Sequence, residues 1–468
     1  MTADKTTFAL YFGNRGMFPG SLLAEARETL PRLLKEWGHD CIMLDETATR
    51  FGAVETPEEG RIYAKFLDDN RGEFGGVILC LPNFGDENGA VAALKNAGVP
   101  IFIQAYPDDL NKMAPELRRD AFCGKFSIMD VFWQNGIKYT IDKPHTVALD
   151  DERFKQSIET FDGVCRIVGG MKDMVLGAVG ARTTAFKTVR FDEIALQRHG
   201  ITVEAFDLAE VFGKVAALST ESAAFQSKLA TMKGYTSWTG VPDAALERIT
   251  RLAVVLDEYI EDYSLDALAL RCWVELEAQL NISPCVVLSE INDRGIAAAC
   301  EVDVNNAVAM HALLLAGAAP ATCLDWNNNY ADQDDKCILF HCGPVPKTLM
   351  STPGQVTDHA ILRNVVGEGC AFGCNVGRIK PGPMTYASML TDSGRLKFYV
   401  GEGEFTDDEI ADDFFGCAGV AEIPNLQDVL MHVGKNGFRH HVSVAGGHIK
   451  AAVVEALGNY LGYDVTEF

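Results

Sequence analysis

Carboxylates flank an apolar segment between residues 299 and 330. Glu301 and Asp303 precede a nearly neutral helical pattern, and Asp325 follows a run of small apolar residues. Carboxylates beside an apolar segment cost free energy unless their charge is used, for example to hold a metal ion. We therefore take Glu301 and Asp325 as the first candidate site residues. The alternative is that these two only cap the predicted helix 302–316 and the following strand. Asp303 is interpreted as an N-terminal charge of that helix.

Histidines cluster near the C-terminus, in the stretch GFRHHVSVAGGHIK at 437–450. Adjacent side chains on a strand point to opposite faces, so only one of His440 and His441 is expected to face a given site. Neutral imidazole is a common ligand of Zn, Mn, Fe and Ni, which makes at least one of the group a candidate ligand. His341, at the predicted end of another strand, is a further candidate. A purely structural histidine is the alternative in each case.

The composition restricts the class of protein and its partners. A chain of 468 residues predicts two or three domains. With 65 acidic and 41 basic residues the formal charge is −24, so neither nucleic acid nor an anionic membrane is an expected partner. A small anionic ligand remains compatible with this net charge, because a few basic side chains attract an anion strongly at short range. No apolar run reaches the length of a membrane span and no signal peptide is recognised, so the expected location is cytoplasmic. Most of the 13 scattered cysteines are expected to be buried free thiols.

The fold class is predicted as α/β, with two doubly wound parallel-sheet domains followed by a β-rich, antiparallel barrel-like domain. In residues 1–170, short apolar runs alternate with amphipathic helical stretches, which is typical of a parallel sheet covered on both faces. Ligands of such sheets lie beyond the strands' carboxyl ends, where the turn at 13–20 carries Arg15. That turn matches no nucleotide-binding motif, and a solvated turn residue is the alternative for Arg15.

The same alternation resumes in a second predicted α/β domain, residues 171–345, which carries the candidate carboxylates. Leu265–Trp273 is expected to form a buried strand there, and Ile291–Cys300 a helix. In residues 346–468, glycine, proline and short alternating runs predict antiparallel strands in a small barrel or sandwich, carrying the candidate histidines of 437–450.

These motifs resemble the L-fucose isomerase and L-arabinose isomerase family of aldose-ketose isomerases. The resemblance lies in a C-E-x-D sequence and helix, an aspartate twenty-four residues after the glutamate, a strand histidine followed by Cys-Gly, and the terminal HHVSVAGGHI. It implies a divalent metal, usually Mn²⁺, held by Glu301, Asp325 and His441. His341 matches a metal-site histidine on the arabinose side of the family, whereas on the fucose side that region contacts substrate, so its role stays open.

The resemblance also implies a reaction, in which a proton moves between C1 and C2 of an open-chain sugar through an enediol. A divalent cation polarises the carbonyl and hydroxyl oxygens as a Lewis acid. Glu301 and Asp325 would serve both as ligands and as the acid/base pair.

Two residues depart from the fucose pattern, and one of them, Arg271, suggests a charged substrate. Arg271 and Trp273 occupy a place where the fucose enzymes use an amide-rich sequence. We hypothesise that Arg271 accepts a sulfonated or carboxylated hexose through a bidentate pair. The other residues predicted to contact substrate are Asn327, His341 and His440.

Family members form oligomers in which one subunit's first domain contributes to another's active site. The resemblance therefore implies a homo-oligomer in which Arg15 reaches a neighbour's site. Two other functions stay open at this point: a sugar-binding or regulatory protein without turnover, and a metal-dependent aldolase or epimerase. The product separates them, because only an isomerase yields a ketose of equal mass.

Overall fold

The computed structural model describes residues 5–468, which fall into two compact units. One unit comprises residues 5–169 with 455–462, and the other comprises 170–454 with 463–468. Within the described part of the chain, no helix is long and apolar enough to cross a membrane.

The N-terminal unit is built on a four-stranded parallel sheet of order β2-β1-β3-β4. Its strands are β1 Phe8–Phe12, β2 Cys41–Met43, β3 Gly76–Leu81 and β4 Ile101–Ala105. Residues of β1, β3 and β4 are buried throughout, which explains why these strands appear in the sequence as continuous apolar runs. The helices are α1 Ser21–Glu36, α2 Pro57–Asp69, α3 Glu87–Leu94, α4 Ala121–Gln134 and α5 Glu152–Gly170. The predicted α/β fold is confirmed.

A second parallel sheet, of order β6-β5-β7-β8, opens the other unit. Its strands are β5 Val175–Val179, β6 Thr202–Phe206, β7 Ala267–Leu270 and β8 Ala297–Cys300. Its helices are α6 Glu193–Arg198, α7 Leu208–Ala217, α8 Ala223–Tyr235, α9 Asp243–Asp262, α10 Glu275–Leu280, α11 Cys285–Asp293 and α12 Val304–Gly317. This sheet confirms the second predicted α/β region.

The expected helix at Ile291–Cys300 is wrong. Helix α11 ends at Asp293, Gly295 follows with φ +86°, and the buried run Ala297–Cys300 is strand β8. A short run of small apolar residues has no periodicity that separates a buried strand from a helix. The correction matters because it places Glu301 at the carboxyl end of a parallel strand.

The remaining chain forms a closed barrel of six antiparallel strands with additional strands at its margins. The barrel strands are β9 Ala321–Tyr330, β10 Gln333–His341, β13 Gly382–Asp392, β14 Arg395–Phe405, β15 Cys417–Glu422 and β16 His441–Gly446. Added to them are β11 Gln355–Asp358, β12 Phe372–Arg378 and β17 Asp464–Glu467, with helices α13 Arg363–Val366, α14 Leu426–Lys435 and α15 Lys450–Val454. Pairing of β14 with β15 closes the barrel, so the predicted barrel-like region is confirmed.

Two barrel strands, β9 and β10, precede the predicted domain boundary at 345. They pair with β16 and β15, so the barrel begins at Ala321 and Asp325 belongs to it rather than to the α/β part. The rise in glycine, proline and short alternating runs begins only at 346, so it indicated the later strands alone. Strands β9 and β10 come before it, as a hairpin directly after α12. The division into three domains itself stays a prediction.

Helix α12 fixes the barrel to the end of β8. Its first turn carries Asn306, a fully buried residue whose Oδ1 accepts hydrogen bonds from the hydroxyls of Ser388 on β13 and Ser443 on β16. The end of β8 and the start of β16 are thereby held at the same end of this helix.

Candidate active site

Glu301 lies in a strained connection between strand β8 and helix α12. Both Glu301 (φ +63°) and Val302 (φ +58°) adopt the left-handed conformation, which costs a non-glycine residue about 1–2 kcal/mol. Asp303 then caps α12 by accepting a hydrogen bond from the backbone N–H of Asn306, as the sequence predicted for a helix N-terminal charge. Strain of this kind is typical of functional sites, and here it accompanies a buried carboxylate.

The Glu301 carboxylate lies against two ring nitrogens. The Trp273 indole Nε1–H donates to Oε1 over 2.8 Å, and His441 Nε2 lies 2.8 Å from Oε2. Burial alone raises the pKa of Glu301, but the hydrogen bond and charge of His441, together with the charge of His341, outweigh it and lower the pKa to about 2. Glu301 is therefore an ionised carboxylate and not a cap of α12.

His441 is buried between two carboxylates. Its Nδ1 lies 2.8 Å from Asp303 Oδ2, on the side of the ring opposite Glu301. Burial alone lowers the pKa of His441, yet Cys323, Asp303 and Glu301 outweigh burial and raise the pKa well above its ordinary value. The ring therefore lies between two carboxylates, with Nδ1 beside Asp303 and Nε2 beside Glu301.

Asp325 reaches the same place from strand β9. It pairs in register with His441 across the antiparallel β9–β16 ladder, and its Oδ1 lies 3.5 Å from His441 Nε2. That oxygen is buried and accepts no hydrogen bond among the described residues. Its contacts are inside the site, so Asp325 is not an end cap of its strand.

His341 ends strand β10 and is 2% exposed. Its Nδ1 accepts the backbone N–H of Cys342 over 2.9 Å, which places a ring proton on Nε2. Within the described part of the chain, Nε2 is buried and has no hydrogen-bond partner. The ligand atoms of Glu301, His341 and His441 all lie within 4.8 Å of one another.

His440 also approaches Asp325, which corrects the expectation that only one of the adjacent histidines faces the site. Its Nε2 lies 3.8 Å from Asp325 Oδ1, and one ligand atom from each of Asp325, His440 and His441 lies within 4.8 Å of the others. Strand β16 begins only at His441, so the alternation of strand side chains does not apply to the residue before it. Burial lowers the pKa of His440, and the charge of His441 lowers it further.

Three further residues predicted to contact substrate differ in their surroundings. Trp273 belongs to the cluster through its bond to Glu301. Arg271 follows β7 as Glu301 follows β8, but its guanidinium is already engaged, 2.5 Å from Glu275 and bonded to the Ala181 carbonyl. Asn327 is exposed on β9 and bonds the side chain of its neighbour, Asn328.

Arg15 lies in the N-terminal unit. Its Nε donates to the Gly85 carbonyl over 3.0 Å, its Nη2 pairs with Glu87, and its guanidinium lies 4.1 Å from the centre of the Phe84 ring. The turn that carries Arg15 is thus tied to the turn after β3.

Sequence reasoning missed three neighbours of the cluster. Phe186, in the segment after β5, packs its ring against Trp273, His440 and His441. Cys323 lies two residues before Asp325 on the same strand, and Arg439 pairs with Asp303. Only Arg439 could have been suspected from the sequence, because it immediately precedes the histidine pair.

The donor set suits a hard divalent cation. Glu301 and Asp325 belong to two groups of close ligand atoms that share His441, whose Nε2 lies 2.8 Å from Glu301 and 3.5 Å from Asp325. Carboxylate oxygens with an imidazole nitrogen are a combination that Mn²⁺ and related ions accept. The unpartnered Oδ1 of Asp325 is a buried acceptor among the described residues, and such atoms ordinarily have a partner. The residues present therefore fit a metal at this place.

Two family models match the chain. One, described as the fucose/sulfoquinovose isomerase N-terminal domain, matches residues 9–172, and the other, the L-fucose isomerase C-terminal domain, matches residues 339–468. The chain belongs to the L-fucose isomerase family. Members of this family are aldose-ketose isomerases, so the predicted enzyme class, an intramolecular oxidoreductase, is confirmed.

Curated relatives in the L-fucose isomerase family agree with these matches. A protein named sulfoquinovose isomerase from Priestia aryabhattai is 22% identical over 404 residues, covering 85% of this chain and 87% of its own. A second, from Alkalicoccus urumqiensis, is 22% identical over 406 residues, covering 86% and 88%. Among solved structures, a solute-binding protein from Burkholderia multivorans aligns at 12% identity over 68% of this chain and 95% of its own. Its TM-score of 0.19 carries no argument.

Proposed function

We propose that this chain is a divalent-metal-dependent aldose-ketose isomerase that acts on an anionic, sulfonated hexose. The observation that carries the proposal is the approach of two carboxylates to one buried imidazole: His441 Nε2 lies 2.8 Å from Glu301 and 3.5 Å from Asp325. His341 forms a group of close ligand atoms with Glu301 and His441. Binding alone does not require two carboxylates beside imidazoles, so this arrangement favours turnover over a purely sugar-binding role.

The proposed metal is Mn²⁺, with Glu301, Asp325 and His441 as its ligands. When bound, the cation supplies Lewis-acid polarisation of the sugar's C1 and C2 oxygens. The pKa of Glu301, lowered to about 2, keeps this carboxylate ionised over the physiological range, as a ligand must be.

The proton transfer is assigned to the two carboxylates. One of Glu301 and Asp325 takes the proton from C2 while the C–H electron pair forms the C1–C2 double bond of the enediol and the carbonyl oxygen gains a proton. Return of the abstracted proton to C1, with loss of the hydroxyl proton from the C2 oxygen as the C2 carbonyl forms, then gives the ketose. We assign His341 the role of a hydrogen-bond donor to a sugar oxygen, since its Nε2 carries the proton. Phe186 and Trp273 present apolar ring surface beside the cluster and restrict water there.

The sulfonated substrate rests on the relatives named sulfoquinovose isomerase and on the place of Arg271. Its backbone follows Leu270, which pairs in register with Cys300, the residue before Glu301, so Arg271 and Glu301 leave neighbouring strands at the same edge. Its Nε is buried and unpartnered among the described residues. A sulfonate would replace Glu275 as the partner of the guanidinium, with the charge-assisted geometry that arginine favours.

The test is a substrate panel with Mn²⁺, in which ketose formation from neutral, deoxy and sulfonated aldoses is followed by NMR. We expect a ketose of equal mass and a preference for the sulfonated hexose, and we expect that Arg271→Met removes this preference. Cleavage products, or no turnover with any sugar, contradict the reaction. Equal rates with neutral and sulfonated sugars contradict the substrate class alone.

Glu301→Gln is the matching variant for the chemistry. It is expected to lower kcat by ~10³-fold or more, because the amide neither holds the metal as a carboxylate does nor accepts a proton. Asp332→Asn, in the exposed hairpin between β9 and β10, serves as the control and is expected to keep wild-type activity. Persistent activity of Glu301→Gln removes this residue from the mechanism.

The quaternary arrangement and cellular location belong to the same proposal. We infer a cytoplasmic homo-oligomer in which Arg15 of one subunit completes the active site of another. Support comes from the family resemblance.

A further inference from the structure

Asp303 occupies a position that its role as a helix cap does not explain. It is 0% exposed, and its carboxylate accepts from four donors: the backbone N–H of Asn306 at 3.2 Å, the Asn306 side-chain amide at 2.6 Å, Arg439 Nη1 at 3.1 Å and His441 Nδ1 at 2.8 Å. A cap requires only the first of these bonds.

The polarity of this network is fixed by its donors. The backbone N–H, the amide nitrogen and the guanidinium can only donate, so Asp303 is an acceptor on both oxygens. His441 must therefore present an N–H at Nδ1, and the lone pair available to a ligand lies on Nε2. That Nε2 is the atom that faces Glu301 and Asp325, at 2.8 Å and 3.5 Å.

Arg439 keeps Asp303 charged and in place. Its side chain is 3% exposed, its Nε donates to the Thr188 carbonyl over 3.1 Å, and its Nη1 donates to the Met389 carbonyl over 2.7 Å. A guanidinium held by two backbone carbonyls has little freedom to leave the carboxylate. Asp303 is thus anchored from the side away from the cluster.

We propose that Asp303, held by Arg439, is a positioning residue that fixes His441 with its proton on Nδ1 and aims Nε2 at the metal. The inference deepens the proposed function and rests on its metal site. Carboxylates that orient metal-binding histidines in this way contribute 10- to 100-fold, roughly, to metal affinity. A helix cap alone would contribute to stability and leave metal affinity unchanged.

The first variant is Asp303→Asn, tested by calorimetric titration with Mn²⁺ and by thermal unfolding. Asparagine caps helices as well as aspartate does, so this change removes the charge and keeps the cap. We expect the Kd for Mn²⁺ to rise about 10- to 100-fold, and the Mn²⁺ concentration for half-maximal activity to rise with it. Asp207→Asn, at the cap of α7 in the same unit, is the matched control with an expected wild-type Kd.

A second variant guards against misfolding, because Asp303→Asn leaves the buried Arg439 without its carboxylate. Asp303→Asn combined with Arg439→Met removes both charges and is expected to show the same loss of affinity. A wild-type Kd in either variant overturns the inference. His441→Gln, which removes the ligand itself, is expected to bind Mn²⁺ more weakly than both.

The wild-type protein provides a readout that does not depend on either variant. In the Mg²⁺-loaded protein, labelled with ¹⁵N-histidine, the Nδ1 of His441 is expected at a protonated, pyrrole-type shift. A pyridine-type Nδ1 overturns the inference even if no variant folds. Failure of the wild-type chain to bind any divalent metal contradicts the proposed function instead, so the two failures are distinguishable.

Discussion

Two histidines of the site have opposite hydrogen-bond polarity. His441 Nδ1 faces the Asp303 carboxylate, whereas His341 Nδ1 accepts a backbone N–H. The first arrangement leaves a lone pair on Nε2 and suits a metal ligand, and the second leaves a proton on Nε2 and suits a donor to a sugar oxygen. The family resemblance left the role of His341 open, and the backbone of Cys342 supplies a physical reason to prefer substrate contact.

This difference predicts how replacement of His341 affects the enzyme. We expect His341→Ala to lower kcat by ~10²-fold, because a preorganised donor to a reacting oxygen is lost. The Kd for Mn²⁺ should stay within about threefold of wild type. Activity assays at saturating metal and calorimetric titration measure the two quantities separately.

His341→Gln provides the companion variant, because its amide Nε2 can still donate, and it is expected to recover part of the lost kcat. If His341→Ala instead weakens Mn²⁺ binding as strongly as His441→Gln does, His341 is a metal ligand and the assignment is wrong.

At the scale of elements, the site depends on strands of two different sheets meeting at one helix. Glu301 follows β8 of the parallel sheet, whereas Asp325 and His441 lie opposite each other on β9 and β16 of the barrel. Helix α12 joins the two sheets through Asn306. This residue donates a hydrogen bond to Asp303, the N-cap of the helix, and accepts hydrogen bonds from Ser388 and Ser443 of the barrel. The site therefore forms only if the parallel sheet and the barrel are correctly placed relative to each other.

Removal of the Asn306 side chain tests this connection. Asn306→Ala removes a buried partner of the Ser388 hydroxyl and of the Asp303 carboxylate, whereas the Ser443 hydroxyl keeps the backbone carbonyl of residue 306. We therefore expect a loss of about 2–4 kcal/mol in the free energy of unfolding. Urea unfolding followed by circular dichroism measures it. Asn305→Ala is the matched control. Asn305 is equally buried but has one 3.3 Å bond and an unpartnered Oδ1 within the described chain, so its loss is expected to stay below about 1 kcal/mol. Equal losses would contradict the special role of Asn306.

At the scale of the whole molecule, the predicted sharing of active sites assigns Arg15 to a neighbouring subunit. Co-expression of Arg15→Ala chains with Glu301→Gln chains tests this. Each variant alone is expected to be nearly inactive. A mixed oligomer contains some sites with Arg15 from one chain and Glu301 from the other, so its kcat per site should exceed that of both parents.

The control for mixing is the double variant Arg15→Ala/Glu301→Gln co-expressed with Arg15→Ala. No chain in that mixture carries Arg15, so no activity should return. Absence of complementation in the first mixture, with mixed oligomers verified by mass spectrometry, would contradict shared sites.

Much of the fold was predictable from the sequence. Parallel strands buried on both faces appear as continuous apolar runs, and barrel strands appear as short runs between glycine-rich turns, so both α/β regions and the barrel were predicted. The run 297–300 was the exception, because four small apolar residues satisfy helix and strand equally well. The start of the barrel at Ala321 also escaped, since which sheet a strand joins depends on distant partners.

The sequence by itself determined the chemical types of the site, namely two carboxylates and a histidine group, because residue identity and spacing are local properties. The tertiary structure alone decided that His440 joins His441 beside Asp325 and that Arg271 is engaged by Glu275. It alone brought together Asp303, Arg439 and His441. Their hydrogen bonds join residues separated by more than a hundred positions, and such long-range pairing is set by packing of the barrel on α12 rather than by any pattern along the chain.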